Sequence, residues 1–201
     1  MAGWEYEEQA RAQGYAAVCG CDEAGAGPLA GPVYAGAVIL PFGVEIPGLD
    51  DSKKLTEKRR EAFFPVIQEL AMAWSVARVE AEEIDRTDIL SARMKAMQLA
   101  IDGLKVPADF ALVDGNRDHG KTAAVTTPHL CVVKGDSLSM SIAAASILAK
   151  VSRDHYMMEM AQMYPEYAFE KHKGYGTKLH YECLRAYGPS PIHRRTFLKN
   201  L

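Results

Sequence analysis

The chain has 201 residues, 48% of them hydrophobic and 24% charged, with a formal net charge of −3. Those values suit one globular domain with a real core, and the negative balance argues against an indiscriminate nucleic-acid binder. The longest apolar run, SIAAASILA, is too short to span a bilayer, and the acidic opening MAGWEYEEQAR carries no secretory signal, so a cytoplasmic protein is expected.

In chain order, YAAVCGC reads as a short apolar strand that runs into two adjacent carboxylates, Asp22 and Glu23, and then into the Gly-rich GAGPLAG. Gly25, Gly27 and Ala30 match a dinucleotide-binding fingerprint, but that motif needs a helix next, and PVYAGAVILP reads as a second strand. Two carboxylates would also repel a pyrophosphate. A metal held by the acids, with loop amides facing a phosphate-bearing ligand, fits the same residues better. Cys19, Cys21, Cys131 and Cys183 form no C-x-x-C pair and are expected as reduced thiols.

LTEKRREAFFPVIQEL reads as a helix capped by Thr56, with Ala62, Phe63, Val66, Ile67 and Leu70 on one face and a disturbance at Pro65. AWSVARVE is a third strand. DILSARMKAMQLAIDGL repeats apolar residues at Ile89, Met94, Met97, Ile101 and Leu104, which is helical spacing. FALVDGN and LCVVKGD are two more strands, each followed by glycine and an acid. A long helix, SIAAASILAKVSRDHYMMEMAQMYP, leads through the basic loop EKHKGYGTK to a last helix, LHYECLRAYG, and the tail PSPIHRRTF. The pattern is that of an α/β domain over residues 1–154 with a C-terminal helical extension, 155–201, of the same unit. Residues 150–201 hold nine Lys/Arg against five Asp/Glu, whereas the first 149 residues carry −7. A basic end beside an acidic body suits a polyanion approaching a carboxylate centre, although a solvated surface with chance asymmetry would read the same.

Asp22 with Glu23, Asp114 in VDGN and Asp136 in KGDS all follow predicted strands. Acids converging from strand ends at one sheet edge suit hard divalent cations. The competing reading is that each Asp caps a turn, as Asp-Gly often does.

CDEAGAGPLAGPV, DDSKKLTEKRRE, LVDGNR, VVKGDSLSMSIAAASILAKVSRD, KHKGYGT and GPSPIHRRTF together resemble bacterial ribonuclease HII, of the type 2 ribonuclease H family, in order from Gly14 to Phe197. The resemblance implies a ribonuclease H-like mixed sheet flanked by helices. It implies an endoribonuclease that hydrolyses the RNA strand of RNA·DNA hybrids and cuts at ribonucleotides embedded in duplex DNA, using two Mg²⁺ or Mn²⁺ ions. Carried over by position, Asp22, Glu23, Asp114 and Asp136 correspond to its catalytic, metal-binding acids. Tyr175 corresponds to the tyrosine that stacks on the ribonucleotide sugar and helps sense its 2′-OH. Gly25, Ala26 and Gly27 fill its Gly-Arg-Gly slot, so Ala26 is a departure that removes a charge. Lys53 and Lys54 are expected to face phosphate or, on the competing reading, solvent. Lys150, Lys171, Lys173, Arg194 and Arg195 are weaker candidates for duplex contacts. His172 is a low-weight candidate base, and Asp154 is set aside as too far along its helix from Asp136.

A monomer is expected. A sliding clamp is a conceivable partner in this family, but the terminal RRTFLKNL is too short and generic to specify one. Ribonuclease HIII, with its extra N-terminal domain, fits less well, because only about 13 residues precede the first motif. A DNA nuclease, integrase or junction resolvase would share the acids but not the Gly-rich loop and Tyr175. A non-catalytic hybrid binder is made conceivable by Ala26 and opposed by the intact acids.

Overall fold

The structure, a computed structural model, describes residues 2–50 and 52–198. Five strands form one sheet: β1 (Val18–Ala24), β2 (Val33–Ile39), β3 (Ala73–Val79), β4 (Phe110–Asp114) and β5 (His129–Val132), in the order β3-β2-β1-β4-β5. β1 pairs antiparallel with β2, and β2 with β3. β4 lies parallel to β1, and β5 parallel to β4. From β3 at one edge the chain returns through α3 (Ala81–Arg86) and α4 (Ile89–Asp102) to β4 beside β1, and the 115–128 segment carries it on to β5. All five strands expected from the sequence are present.

The sheet is covered on both faces. On one side α4 packs Met94, Met97, Ala100 and Ile101 against Cys19, Cys21, Ala35, Ala111 and Val113, which confirms its expected apolar face. On the other lies α5 (Met140–Met163), whose Ala143, Ala144, Ala145 and Ala149 are fully buried. Small residues are needed there because the approach is close. A Cβ at Gly20 would stand 2.1 Å from the Ser141 carbonyl carbon, and one at Gly36 would stand 2.5 Å from the Ala145 oxygen.

α2 (Glu57–Leu70) is capped by Thr56 as expected, but it runs through Pro65 without a break. Proline removes one hydrogen bond of the ladder, and packing of Phe63, Phe64 and Ile67 into the cluster beneath α5 outweighs that local penalty. Of the residues expected on one face, Ala62, Val66 and Leu70 are exposed. α1 (Glu5–Ala12) and α3 lie outside the sequence expectations. α1 carries Glu5, Glu7 and Glu8 in its first turn, where the helix dipole favours them. Its buried Glu7 accepts hydrogen bonds from Ser139 Oγ (2.6 Å) and Ser141 N (3.0 Å), a carboxylate at the N-terminus of α5.

Residue 154 lies inside α5, so the body and the C-terminal part share one continuous helix. Its second half, with Met157 and Met160, packs against Leu29, Ala30, Tyr167, Phe169, Cys183 and Leu184. α6 (Phe169–His172) and α7 (Lys178–Tyr187) flank the loop that carries Tyr175. Among the described residues no helix is long and apolar enough to cross a membrane.

Candidate active site

β1 extends to Ala24, so Asp22 and Glu23 belong to the strand itself and project to opposite faces of the sheet. Asp22 points toward α5 and Glu23 toward α4. Asp114 closes β4 on the same face as Asp22. Asp136 does not end β5 as expected. It sits four residues beyond Val132, in a one-turn 3₁₀ helix (Gly135–Ser137) entered through Lys134 at φ 58°. The turn carries the Asp136 amide to Asp114 Oδ1, 3.3 Å away.

Asp22, Asp114 and Asp136 each present a carboxylate oxygen within 4.8 Å of the others. Two of the three are buried, and the group is all-oxygen, the donor set that hard divalent ions take. Burial first, then repulsion from Glu23 and Asp114, raises the Asp22 carboxyl well above the usual carboxylate range. A divalent cation would supply the missing positive charge, so these residues fit such an ion. Glu23 lines the same cleft but stands apart from the three. Its Oε1 accepts from Arg93 Nη2 at 2.5 Å, and its carboxyl is nonetheless raised, chiefly by burial. Nothing in the sequence singled out Arg93, whose partner lies seventy residues away.

The cleft has a volume of about 230 Å³. Its lining includes Asp22, Glu23 and Asp114, then Gly25, Ala26, Gly27 and Tyr175, and also Lys53, Arg60 and Lys150. Lys53 Nζ stands 3.1 Å from Asp136 Oδ2, with its side chain mostly in solvent. Lys54 instead donates to Asp50 Oδ1 (3.2 Å) and Ser137 Oγ (3.1 Å), on the outer side of the Asp136 turn. Arg60 fixes the loop before α2 by donating to the carbonyls of Ser52 (2.9 Å) and Leu55 (2.6 Å).

The wall opposite the acids is held by two buried arginines. Arg194 was a candidate for duplex contact, but it is fully buried and cannot reach a duplex. It donates to the carbonyls of Gly25 (2.6 Å), Ala26 (2.9 Å) and Gly31 (2.9 Å). Burial first, then repulsion from Arg153, lowers its pKa to about 9, which leaves it a cation at neutral pH. Arg153, 1% exposed, donates to Ala30 (3.0 Å), Lys173 (3.1 Å) and Pro32 (3.2 Å), so it ties the Gly-rich loop to the Tyr175 loop. Gly25 has φ +94°, and a Cβ there would stand 2.1 Å from Arg153 Nε, so both conformation and space require glycine. Arg153 had a readable signal: it shares a helix stripe with Ala149, Met157 and Met160, all buried.

Tyr175 is 44% exposed, with the Arg153 guanidinium 5.8 Å from its ring centroid. Beneath its loop lie three histidines. His180 donates from Nδ1 to the Tyr175 carbonyl (2.9 Å), so its Nε2 accepts from His193 Nε2 (2.9 Å). His193 Nδ1 in turn accepts from Ser190 N (2.9 Å). His172 accepts from Gly174 N (3.2 Å) and donates to Tyr167 O (2.9 Å), so this buried ring is a scaffold rather than a base in the cleft. The pattern assigns one neutral tautomer to each ring. Burial lowers His180 and His193 to about 4.

The remaining basic candidates divide. Lys150 pairs with Asp154 at 2.6 Å, which accounts for Asp154 as a partner and not a fifth acid of the cluster. Lys173 donates to the Glu170 carbonyl (2.7 Å). Lys171 and Arg195 are exposed. Of the tail considered for a sliding clamp, residues 199–201 lie outside the described residues.

The profile of the ribonuclease HII family matches residues 19–200. The chain belongs to the ribonuclease HII family. It is 52% identical over 194 residues to the ribonuclease HII of Geobacter sulfurreducens, covering 96% of this chain and 88% of that protein. It is 54% identical over 180 residues to the ribonuclease HII of Dechloromonas aromatica, covering 90% of each. The crystal structure of the ribonuclease H2 from Pyrococcus horikoshii superposes with a TM-score of 0.73 at 27% identity, covering 90% of this chain and 93% of that one. Membership makes the chain a ribonuclease H-type endoribonuclease acting on RNA–DNA substrates, in a family that uses divalent metals. The ribonuclease H-like fold expected from the sequence is the one observed.

Proposed function

We propose that this chain is a Mg²⁺- or Mn²⁺-dependent endonuclease that cleaves the RNA strand of RNA·DNA hybrids and nicks duplex DNA at embedded ribonucleotides. The observation that carries the reading is the cleft itself: three oxygen donors within 4.8 Å of one another face a Gly-rich loop and a half-exposed tyrosine. Asp22, Asp114 and Asp136 would hold the metal, with Glu23 as the fourth acid of the cleft. The bound metal would supply charge neutralisation at phosphorus and an activated water.

The chain's own residues would position the strand. Gly25 to Gly27 offer backbone with almost no side chain, so a sugar-phosphate can come close. The carbonyls of Gly25 and Ala26 are already engaged by Arg194, which holds the loop in place. The Tyr175 ring would stack on the ribose, where the 2′-OH separates RNA from DNA. Lys53 would exchange its contact with Asp136 for a substrate phosphate once a cation occupies the acids. Lys54, turned to Asp50 and Ser137, would support that loop and not the duplex. Cleavage would leave 3′-hydroxyl and 5′-phosphate ends. A monomer acting in the cytoplasm completes the reading, and four free thiols suit a reducing compartment.

The test is cleavage of a DNA duplex carrying one ribonucleotide, with and without Mg²⁺, beside an all-DNA duplex. Metal-dependent nicking at the ribonucleotide alone is the expected result. Equal cutting of the all-DNA duplex would point to a DNA nuclease instead.

A further inference from the structure

A second group of metal-ligating side chains lies on the opposite face of the sheet. His129 and Cys131 stand two residues apart on the edge strand β5, so they share a face. They pair in register with Ala111 and Val113, which belong to the α4 side of the core. Asp118, from the loop between β4 and β5, reaches the same spot. The three ligand atoms lie within 4.8 Å of one another.

The hydrogen bonds around the group fix its lone pairs. His129 Nδ1 lies 2.7 Å from the Thr127 carbonyl and must donate to it. In the neutral ring, Nε2 then carries a lone pair, and it faces Asp118 Oδ2 at 3.1 Å. Two acceptors facing each other at this distance are joined by a proton or by a metal ion, and the thiol of Cys131 beside them is what favours the metal. Asp118 Oδ1, the other oxygen, is held by His119 Nδ1 at 2.6 Å. An imidazole anchored through its second nitrogen, beside a carboxylate anchored through its second oxygen, is the outer-partner arrangement of protein metal sites. Four donors placed tetrahedrally at about 2.0–2.3 Å from Zn²⁺ sit roughly 3.3–3.7 Å apart. His129 and Asp118, at 3.1 Å, already stand near that spacing, and the Cys131 sulfur, within 4.8 Å of both, is the donor that would adjust.

We propose that Asp118, His129 and Cys131 form a second metal site, for Zn²⁺ or a similar borderline divalent ion, that staples the 115–128 loop to β5. The donor set decides the class of ion: imidazole and thiolate favour zinc-like metals, whereas the three-acid cleft favours hard ions. With three protein donors, a fourth position is left for water or His119. The loop tied down starts immediately after Asp114, so the ion would brace the connection that leaves the acid-bearing end of β4 without entering the cleft.

The probe is Co²⁺ titrated into the full chain in excess Mg²⁺, followed by Zn²⁺ competition. A thiolate-to-cobalt charge-transfer band, displaced by Zn²⁺, is expected. The three acids of the cleft hold no thiol and the other cysteines are buried, so that band reports Cys131. Cys131→Ser should abolish it, and His119→Ala should weaken Zn²⁺ binding by about 10–100-fold. Zn²⁺ should also raise the melting temperature of the parent chain but not of Cys131→Ser, with Mg²⁺-supported cleavage the same in both. No thiolate band, or the same band and affinity in Cys131→Ser, would overturn the site and leave His129 and Asp118 as a hydrogen-bonded pair.

Discussion

On one wall of the cleft Asp22, Asp114 and Asp136 crowd carboxylate oxygens together, with Lys53 at their edge. On the other wall the carbonyls of Gly25, Ala26, Ala30, Gly31 and Pro32 converge on Arg194 and Arg153. Both walls collect oxygen atoms that would repel or go unsatisfied alone. The carbonyls are met by cations of the chain itself, buried with their donors engaged. The carboxylates are left short of positive charge, which is why burial and mutual repulsion raise the Asp22 carboxyl. A wall finished by the protein is rigid; a wall short of cations is ready for metal. The difference predicts that substitutions on the first wall change chemistry and those on the second change stability and positioning.

The largest effect should come from breaking the acid wall. Asp22→Asn or Asp136→Asn should lower cleavage by orders of magnitude while the melting temperature holds or rises, because a neutral amide removes repulsion but holds Mg²⁺ poorly. Turnover near that of the parent chain at saturating Mg²⁺ would remove that residue from the site.

Arg194→Ala should reverse the pattern. It strands three carbonyls and should cost about 3 kcal/mol or more in urea denaturation. Arg194→Lys should recover part of the loss, since an ammonium restores charge but not the fork of donors. A loss under about 1 kcal/mol would show that water replaces the guanidinium at little cost.

The histidine scaffold gives the loop wall a pH dependence. His180 and His193 have folded pKa values near 4, below the ordinary 6.5, so the unfolded chain binds more protons between those values. Their contribution is therefore complete above about pH 6.5 and is lost as pH falls toward 4, by at most about 3 kcal/mol for each ring and less where solvent screens it. Urea midpoints measured across that window should fall with pH, and His180→Gln should flatten the slope. An unchanged slope in that variant would place the titration elsewhere.

Tyr175→Ala should cost about 1–3 kcal/mol of transition-state binding on a single embedded ribonucleotide, and less on a long hybrid that offers many registers. Comparison of kcat/KM on the two substrates decides it, and equal losses would remove Tyr175 as a sugar sensor.

The smallest effect should come from Ala26→Arg. Arg194 fixes the backbone at this position, so the substitution adds only a side chain. One added phosphate contact should steepen the log–log salt dependence of duplex binding by about 0.9 and leave the preference for ribose unchanged. A flat response would mean that the side chain does not reach phosphate.

All five strands, the buried face of α4 and the long α5 were legible because period and turn residues are local signals. So were the acids and Tyr175, through six motifs in a fixed order. Other features escaped because their causes are distant in sequence. Pro65 was expected to disturb α2, but Phe63, Phe64 and Ile67 anchor that helix on α5. Arg194 read as a surface cation among HRRTF, yet its partners lie more than 160 residues earlier.

By itself the sequence determined the layered α/β order, the residue types able to hold a hard ion and the family. Each depends on local pattern or on motif identity, which a linear string carries. Only the tertiary structure decided that Asp22 and Glu23 diverge to opposite faces, that a turn brings Asp136 back to Asp114, and that two arginines are interior scaffolding. Those outcomes depend on strand pleat, on left-handed backbone at Lys134 and on burial against remote carbonyls, and none of these exists until the chain has folded.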